Sequence, residues 1–397
     1  MRIRPVLARL HRYAGLSLAA FLIVAGLTGS IIAFDDELDS ALNPELFTAT
    51  TKGPALGASA LAARVEAQLP GTSVTLVPLS LEPGEAALMR VDGASTFDQV
   101  FADPVSGKVL GTRLWGAAKL SRANLIPFIY LLHYSLQLPG VWGILLMGIM
   151  ACLWVIDSFV GFALTLPRGK PFWTKWSTSW RIKRGAGSYR LNLDLHRAGG
   201  LWLWLLLIMM SVSAVSLNLP EQVFRPVLGA IVKLSPSPLE IAAQRPAFDP
   251  NTKRLDYDAA IAAARADVIR SGRSFLPHNA FYIAAYGAYG VGFSRAGENG
   301  EDGMGNSFLY IDAASGKVLA RQIMGQGTPG DVFAQAQFAL HSGHILGLPG
   351  RILIALLGLA VAGLSGTGIY IWARKTHQRL RRPRQSATIH PLAQAAE

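Results

Sequence analysis

Four histidines stand in two pairs of repeated words. Leu10-His11-Arg12-Tyr13-Ala14-Gly15-Leu16 is nearly restated as Leu195-His196-Arg197-Ala198-Gly199-Gly200-Leu201, each time directly before a long apolar run. His133 lies six residues before Pro139-Gly140, and His341 eight before Pro349-Gly350, and each Pro-Gly also leads into an apolar run. Imidazole is the commonest metal ligand and a ready proton carrier, so four of them at four apolar entrances ask for a chemical reason. His344, three residues after His341, shares its face if the helix continues and is a second candidate there. The single cysteine, Cys152, excludes intrachain disulfides, thiolate zinc sites, Cys-ligated iron–sulfur clusters and covalent C-x-x-C-H haem.

The elements that must position these histidines are membrane helices. Half of the residues are hydrophobic and 16% are charged, which is unusual for a soluble chain of this length. Four runs, 14–34, 141–166, 198–219 and 352–372, approach or exceed the ~20 residues a spanning helix needs. Residues 1–13 carry four Lys/Arg and no acid, 167–195 seven against one, and 373–397 six against one. The long segments 35–124 and 218–340 together hold eighteen Lys/Arg and twenty-two Asp/Glu. That asymmetry predicts cytoplasmic termini and a cytoplasmic 167–195 loop. The net charge of +12 is therefore topological, and nucleic-acid binding is rejected. The first apolar run ends in Phe34-Asp35-Asp36-Glu37 without a small-x-small site, so it is expected to stay as an anchor.

Each long outer segment has a helical stretch (56–69; 256–271) followed by strand-like stretches (72–79; 281–293). Each then reaches a polar turn, Asp103-Pro-Val-Ser-Gly-Lys-Val-Leu110 or Asp312-Ala-Ala-Ser-Gly-Lys-Val-Leu319, identical at six of eight positions. Three motifs recurring in one order predict an internal duplication. The expected fold is mainly α: a four-transmembrane-helix bundle from a duplicated two-helix unit, with two α+β periplasmic domains. The boundaries are 1–34 (N-terminus and first span), 35–124 (outer domain 1), 125–166 (second span and its entrance), and 167–195 (basic loop). They continue with 196–219 (third span), 220–337 (outer domain 2), 338–373 (fourth span and its entrance) and 374–397 (basic tail). A Gly- and acid-rich turn falls at 298–306. Asp103 and Asp312 are expected to shape turns, and Trp173, Trp176 and Trp180 to form an interfacial belt.

This topology sorts His11 and His196 to the cytoplasmic side and His133 and His341 to the outer side. Two imidazoles on facing helices are what a six-coordinate haem iron needs. Gly15, Gly199 and Gly200 would leave room for the macrocycle, and Arg12 and Arg197 could neutralise propionates. Asp157, the only acid inside an expected span, could tune that haem, relay a proton, or be capped locally. His278, His377 and His390 read as solvated.

The outer segments, with their D-x-x-S-G-K-V turns, look like PepSY domains. The Leu-His-Arg-x-x-Gly-Leu and Leu-His…Leu-Pro-Gly entrances resemble the PepSY-associated transmembrane family, which includes iron-regulated inner-membrane proteins and FoxB-type ferric-siderophore reductases. The resemblance covers residues 10–372. It implies two non-covalent b-type haems held by transmembrane histidines, an oxidoreductase activity, and a ferric siderophore or other periplasmic acceptor. The electron donor would be cytoplasmic or a quinol. A haem-free PepSY binding or regulatory protein, or a dihaem donor to another oxidant or protein partner, are the alternative readings; a colourless preparation would mark the haem-free one.

Overall fold

In the computed structural model, residues 3–245, 248–249, 252–295 and 302–381 are described. His390, the end of the basic tail and part of the 298–306 turn lie outside them.

The apolar stretches form helices. Helix α1 (Ile3–Ile32) leads into a short α2 (Asp35–Leu42), and α3 (Ala58–Gln68) precedes the first four strands. A short apolar α4 (Leu125–Ser135) then turns back into α5 (Trp142–Thr165). The second half opens with α6 (Ser188–Trp202) and α7 (Trp204–Asn218), and α8 (Tyr257–Arg270) precedes the last four strands. It closes with α9 (Pro329–Ser342) and α10 (Leu348–Arg381). Among the described residues, α1, α5 and α10 are long and apolar enough to cross a membrane.

The third expected span is not one straight helix. Helices α6 and α7 meet at Leu203 with a 69° bend. The break has no proline; the Gly199-Gly200 pair just before it weakens the helix, and the Trp204 indole N–H donates to the Ser158 carbonyl of α5 at 3.1 Å, fixing where α7 starts. Two other boundaries also move. Helix α1 begins well before residue 14, so His11 lies within it, and α10 continues past Trp372 into the basic tail.

Small residues set the bundle's closest approach. A Cβ on Gly26 of α1 would meet the Gly358 carbonyl of α10 at 2.5 Å, and Ser30 Oγ donates to the Ala355 carbonyl at 2.7 Å. Apolar side chains gain little by leaving lipid, so backbone proximity and such polar contacts hold the helices together.

The outer segments do not form two separate domains. Strands β1 (Ser73–Pro78), β2 (Ala87–Asp92), β3 (Gln99–Ala102) and β4 (Val109–Arg113) join β5 (Phe275–Ile283), β6 (Ala288–Arg295), β7 (Ser307–Asp312) and β8 (Val318–Gln322). They make one antiparallel sheet in the order β4-β3-β2-β1-β5-β6-β7-β8. The seam is β1 against β5, with Leu76 opposite Phe281 and Val77 opposite Ala280. Leu61 and Val65 of α3 and Ile261 and Val268 of α8 pack on the same face, so both halves share one apolar core. The stretch 281–293 is a hairpin rather than one strand, because Gly287 takes a positive φ of 54° and reverses the chain.

Asp103 and Asp312 shape their turns. Asp103 accepts from the amides of Val105, Ser106 and Thr51, and Asp312 from Ala314, Ser315 and the Arg245 guanidinium. Burial pushes both carboxyls up, but these donors outweigh it and hold them below the ordinary carboxylate range. A buried Asp39–Arg113 ion pair (2.6 Å), with Gln99 on the same guanidinium (2.6 Å), ties the exit of α1 to the sheet.

Candidate functional site

The four histidines come together as two pairs. The rings of His11 (α1) and His196 (α6) have centroids 6.1 Å apart, and so do those of His133 (α4) and His341 (α9). First-row metal–imidazole bonds run about 2 Å, and each ring centre lies about 1 Å behind its nitrogen, so a metal ion bound axially by two imidazoles separates their centres by about 6 Å. Each pair has that spacing.

Each ring is also held in a definite tautomer. His11 Nδ1 lies 2.9 Å from Asp157 Oδ1, and His196 Nδ1 lies 3.1 Å from both the Leu364 carbonyl and Thr367 Oγ1. His133 Nδ1 lies 3.1 Å from Thr28 Oγ1, and His341 Nδ1 lies 2.8 Å from Ser213 Oγ. A carboxylate and a carbonyl can only accept. The three hydroxyls have already given their hydrogens to carbonyls of their own helices: Thr28 to Val24, Ser213 to Met210, Thr367 to Leu364. With the hydroxyls so engaged, each Nδ1 is matched to an acceptor, the arrangement in which an imidazole carries its proton on Nδ1 and presents Nε2 as the ligand atom. Neutral imidazole with a fixed Nδ1–H is the form that ligates a metal through Nε2.

The pinning contacts stay within each half of the chain, while the rings pair across halves. In the first half α5 holds His11 and α1 holds His133. In the second, α10 holds His196 and α7 holds His341. The sequence carries a trace of these partners that the motif reading missed. Thr28 follows His11 by seventeen residues and Ser213 follows His196 by seventeen; Asp157 follows Gly140 by seventeen and Thr367 follows Gly350 by seventeen.

Backbone clears space around the rings. A Cβ on Gly29 would come within 2.9 Å of His133 Cε1; on Gly161 and Gly368 it would lie 3.3 Å from the Cε1 atoms of His11 and His196. A cavity of about 660 Å³ opens at the His11/His196 pair, walled in part by α6 and α7, and Gly15, Gly200, Arg12, Arg197, Lys375 and Arg379 line it. Arg197 bonds Asp194 Oδ1 at 2.8 Å and the Thr178 carbonyl at 2.9 Å, while its buried Nε has no hydrogen-bond partner.

His344 does not join the outer pair. Gly343 takes a φ of 88° and ends α9, so the i, i+3 face expected for His341 and His344 does not exist; His344 lies 3.5 Å from Asp302 instead. His278 sits on β5 and His377 late in α10, and neither belongs to a pair. Trp173, Trp176 and Trp180 cluster with Phe172, and Trp176 packs on Phe162, which lines the His11/His196 cavity. Among the described residues, no three His, Cys, Asp or Glu side chains group as a metal site, so two-imidazole sites are what this donor set offers.

No curated protein matches the chain. The family described as the PepSY-associated TM region matches residues 8–375, nearly the whole length. Its span takes in all four paired histidines, and on that match the chain belongs to the PepSY-associated TM region family.

Proposed function

We propose that this protein is an inner-membrane oxidoreductase that holds two b-type haems, one between His11 and His196 and one between His133 and His341. It would pass electrons to a ferric siderophore on the sheet side. The observation that supports this most is the pair of cross-half imidazole contacts, each at 6.1 Å with both Nε2 lone pairs left for a metal. His11 and His196 would hold one haem iron and His133 and His341 the other, and haem so held would supply one-electron transfer.

The chain's own residues supply the rest. Asp157, Thr367, Thr28 and Ser213 orient the rings. Arg12, Arg197, Lys375 and Arg379 offer cations and a spare N–H donor to propionates at the cavity. The outer pair, marked by Thr28, stands seventeen residues along α1 from His11, about 26 Å and close to a bilayer's apolar thickness. The basic termini support a cytoplasmic His11/His196 end, where a cytoplasmic or quinol donor would deliver electrons. At the other end, one electron converts Fe(III) to Fe(II), which hard oxygen chelators hold far less tightly.

Reduced-minus-oxidised visible spectra of the purified protein test the cofactor; a low-spin b-type signal is expected. Dithionite-reduced protein should then be reoxidised by a ferric hydroxamate. A colourless preparation, or full haem loading in a variant with all four paired histidines changed to Ala, would overturn the reading.

A further inference from the structure

The four imidazoles are alike in geometry but not in electrostatics. His133 and His341 donate to hydroxyls, and His196 to a carbonyl and a hydroxyl; His11 alone donates to a carboxylate, Asp157, at 2.9 Å. Thr367 occupies the position equivalent to Asp157 in the second half, seventeen residues beyond its own Pro-Gly, so the charge belongs to one site only. Asp157 is 8% exposed, which keeps bulk water from screening it.

We infer that Asp157 sets the direction of electron flow: it makes the His11/His196 site the lower-potential of the two. The inference rests on the dihaem reading above. A carboxylate drawing on Nδ1–H pushes electron density through the ring to Nε2 and strengthens it as a donor. Both that donation and the negative charge itself favour Fe(III) over Fe(II) at this site, acting in contact with the ligand ring, whereas the Arg12, Arg197, Lys375 and Arg379 cations on the cavity wall would be offset by the propionates they bind. An electron held at the His11/His196 site would run downhill to the His133/His341 site, oxidising the first centre by one electron as it reduces the second. Asp157 is thus a positioning and tuning residue; it acts through His11.

The test is spectroelectrochemical titration of the whole protein in detergent. The wild type should show two one-electron transitions. Asp157→Asn keeps an oxygen acceptor for Nδ1–H and removes only the charge. It should raise the lower transition by about tenfold in the Fe(III)/Fe(II) ratio, about 59 mV for a one-electron couple, and leave the other in place. Asp157→Glu should restore it. Thr28→Asp, placing a carboxylate on His133, should lower the other transition; it provides the answer even if Asp157→Asn does not fold. Haem-loaded Asp157→Asn or Thr28→Asp with wild-type potentials overturns the inference and leaves the dihaem reading standing. Protein that binds no haem overturns both.

Discussion

Thr28 and Ser213 show how little it takes to fix an imidazole. Each hydroxyl spends its hydrogen on its own helix and can only accept from the ring, so removing it frees the histidine to rotate and to change tautomer. Losing such a supporting contact lowers metal affinity about 10- to 100-fold. On the proposed dihaem function, Thr28→Val, which keeps the shape, is expected to weaken haem retention by about tenfold, read as the haem-to-protein ratio after dilution; Ser40→Ala, on the surface of α2, should leave it unchanged. The histidines themselves were legible because each comes in a repeated phrase. Their partners were not. A threonine or serine inside an apolar run is ordinary, and only the shared seventeen-residue spacing marks these two. The shared face expected for His341 and His344 did not form, because Gly343 ends α9 in the left-handed conformation that glycine commonly takes at a helix C-terminus.

Helices and turns decide whether the rings can face each other at all. Gly29 lies where α1 passes His133, and its missing side chain leaves 2.9 Å to the ring. Gly29→Ala should therefore displace His133 and cut the outer site's occupancy, while Gly161→Ala and Gly368→Ala, at 3.3 Å, should be milder at the inner site. Site-resolved haem spectra of the three variants check that order. Gly343→Ala combines a φ of 88° with a Cβ 2.5 Å from the Gly350 backbone. It should cost about 1–2 kcal/mol from the left-handed conformation alone, seen as a lower thermal midpoint and a lost His341 ligand. The apolar runs themselves were readable from length and hydropathy. The α6–α7 bend was not, since the Leu201–Leu207 stretch has no breaker and the anchor for Trp204 lies on another helix.

Across the whole molecule, the sheet makes the two outer segments one cooperative body. The stretches 72–79 and 281–293 showed strand character and the Asp103 and Asp312 turns stood out, but the β1–β5 seam joins residues some two hundred positions apart, and no local pattern encodes it. The turn carboxylates give this body a specific pH response. Asp103 and Asp312 are held below their ordinary 3.8, so their stabilisation is complete above that value and lost as pH falls through the depressed folded values. Thermal unfolding in detergent should fall on acidification below about pH 4, with no slope from these groups between about pH 5 and pH 8. The Asp103→Asn, Asp312→Asn double variant should flatten the acid limb. Asp103→Ala should cost about 2 kcal/mol, the loss of several charge-assisted bonds at a buried carboxylate.

Because each half orients its own two imidazoles yet every pair takes one ring from each half, either half alone would present two finished jaws and nothing to bite on. Anything that bridges the rings acts as a rivet at each end of the bundle, clamping the first half of the polypeptide to the second. Filling the sites should therefore add to the β1–β5 seam and the α1–α10 contact, and a chain cut in the 167–187 linker should melt at a higher temperature with the rivets in place than with them drawn.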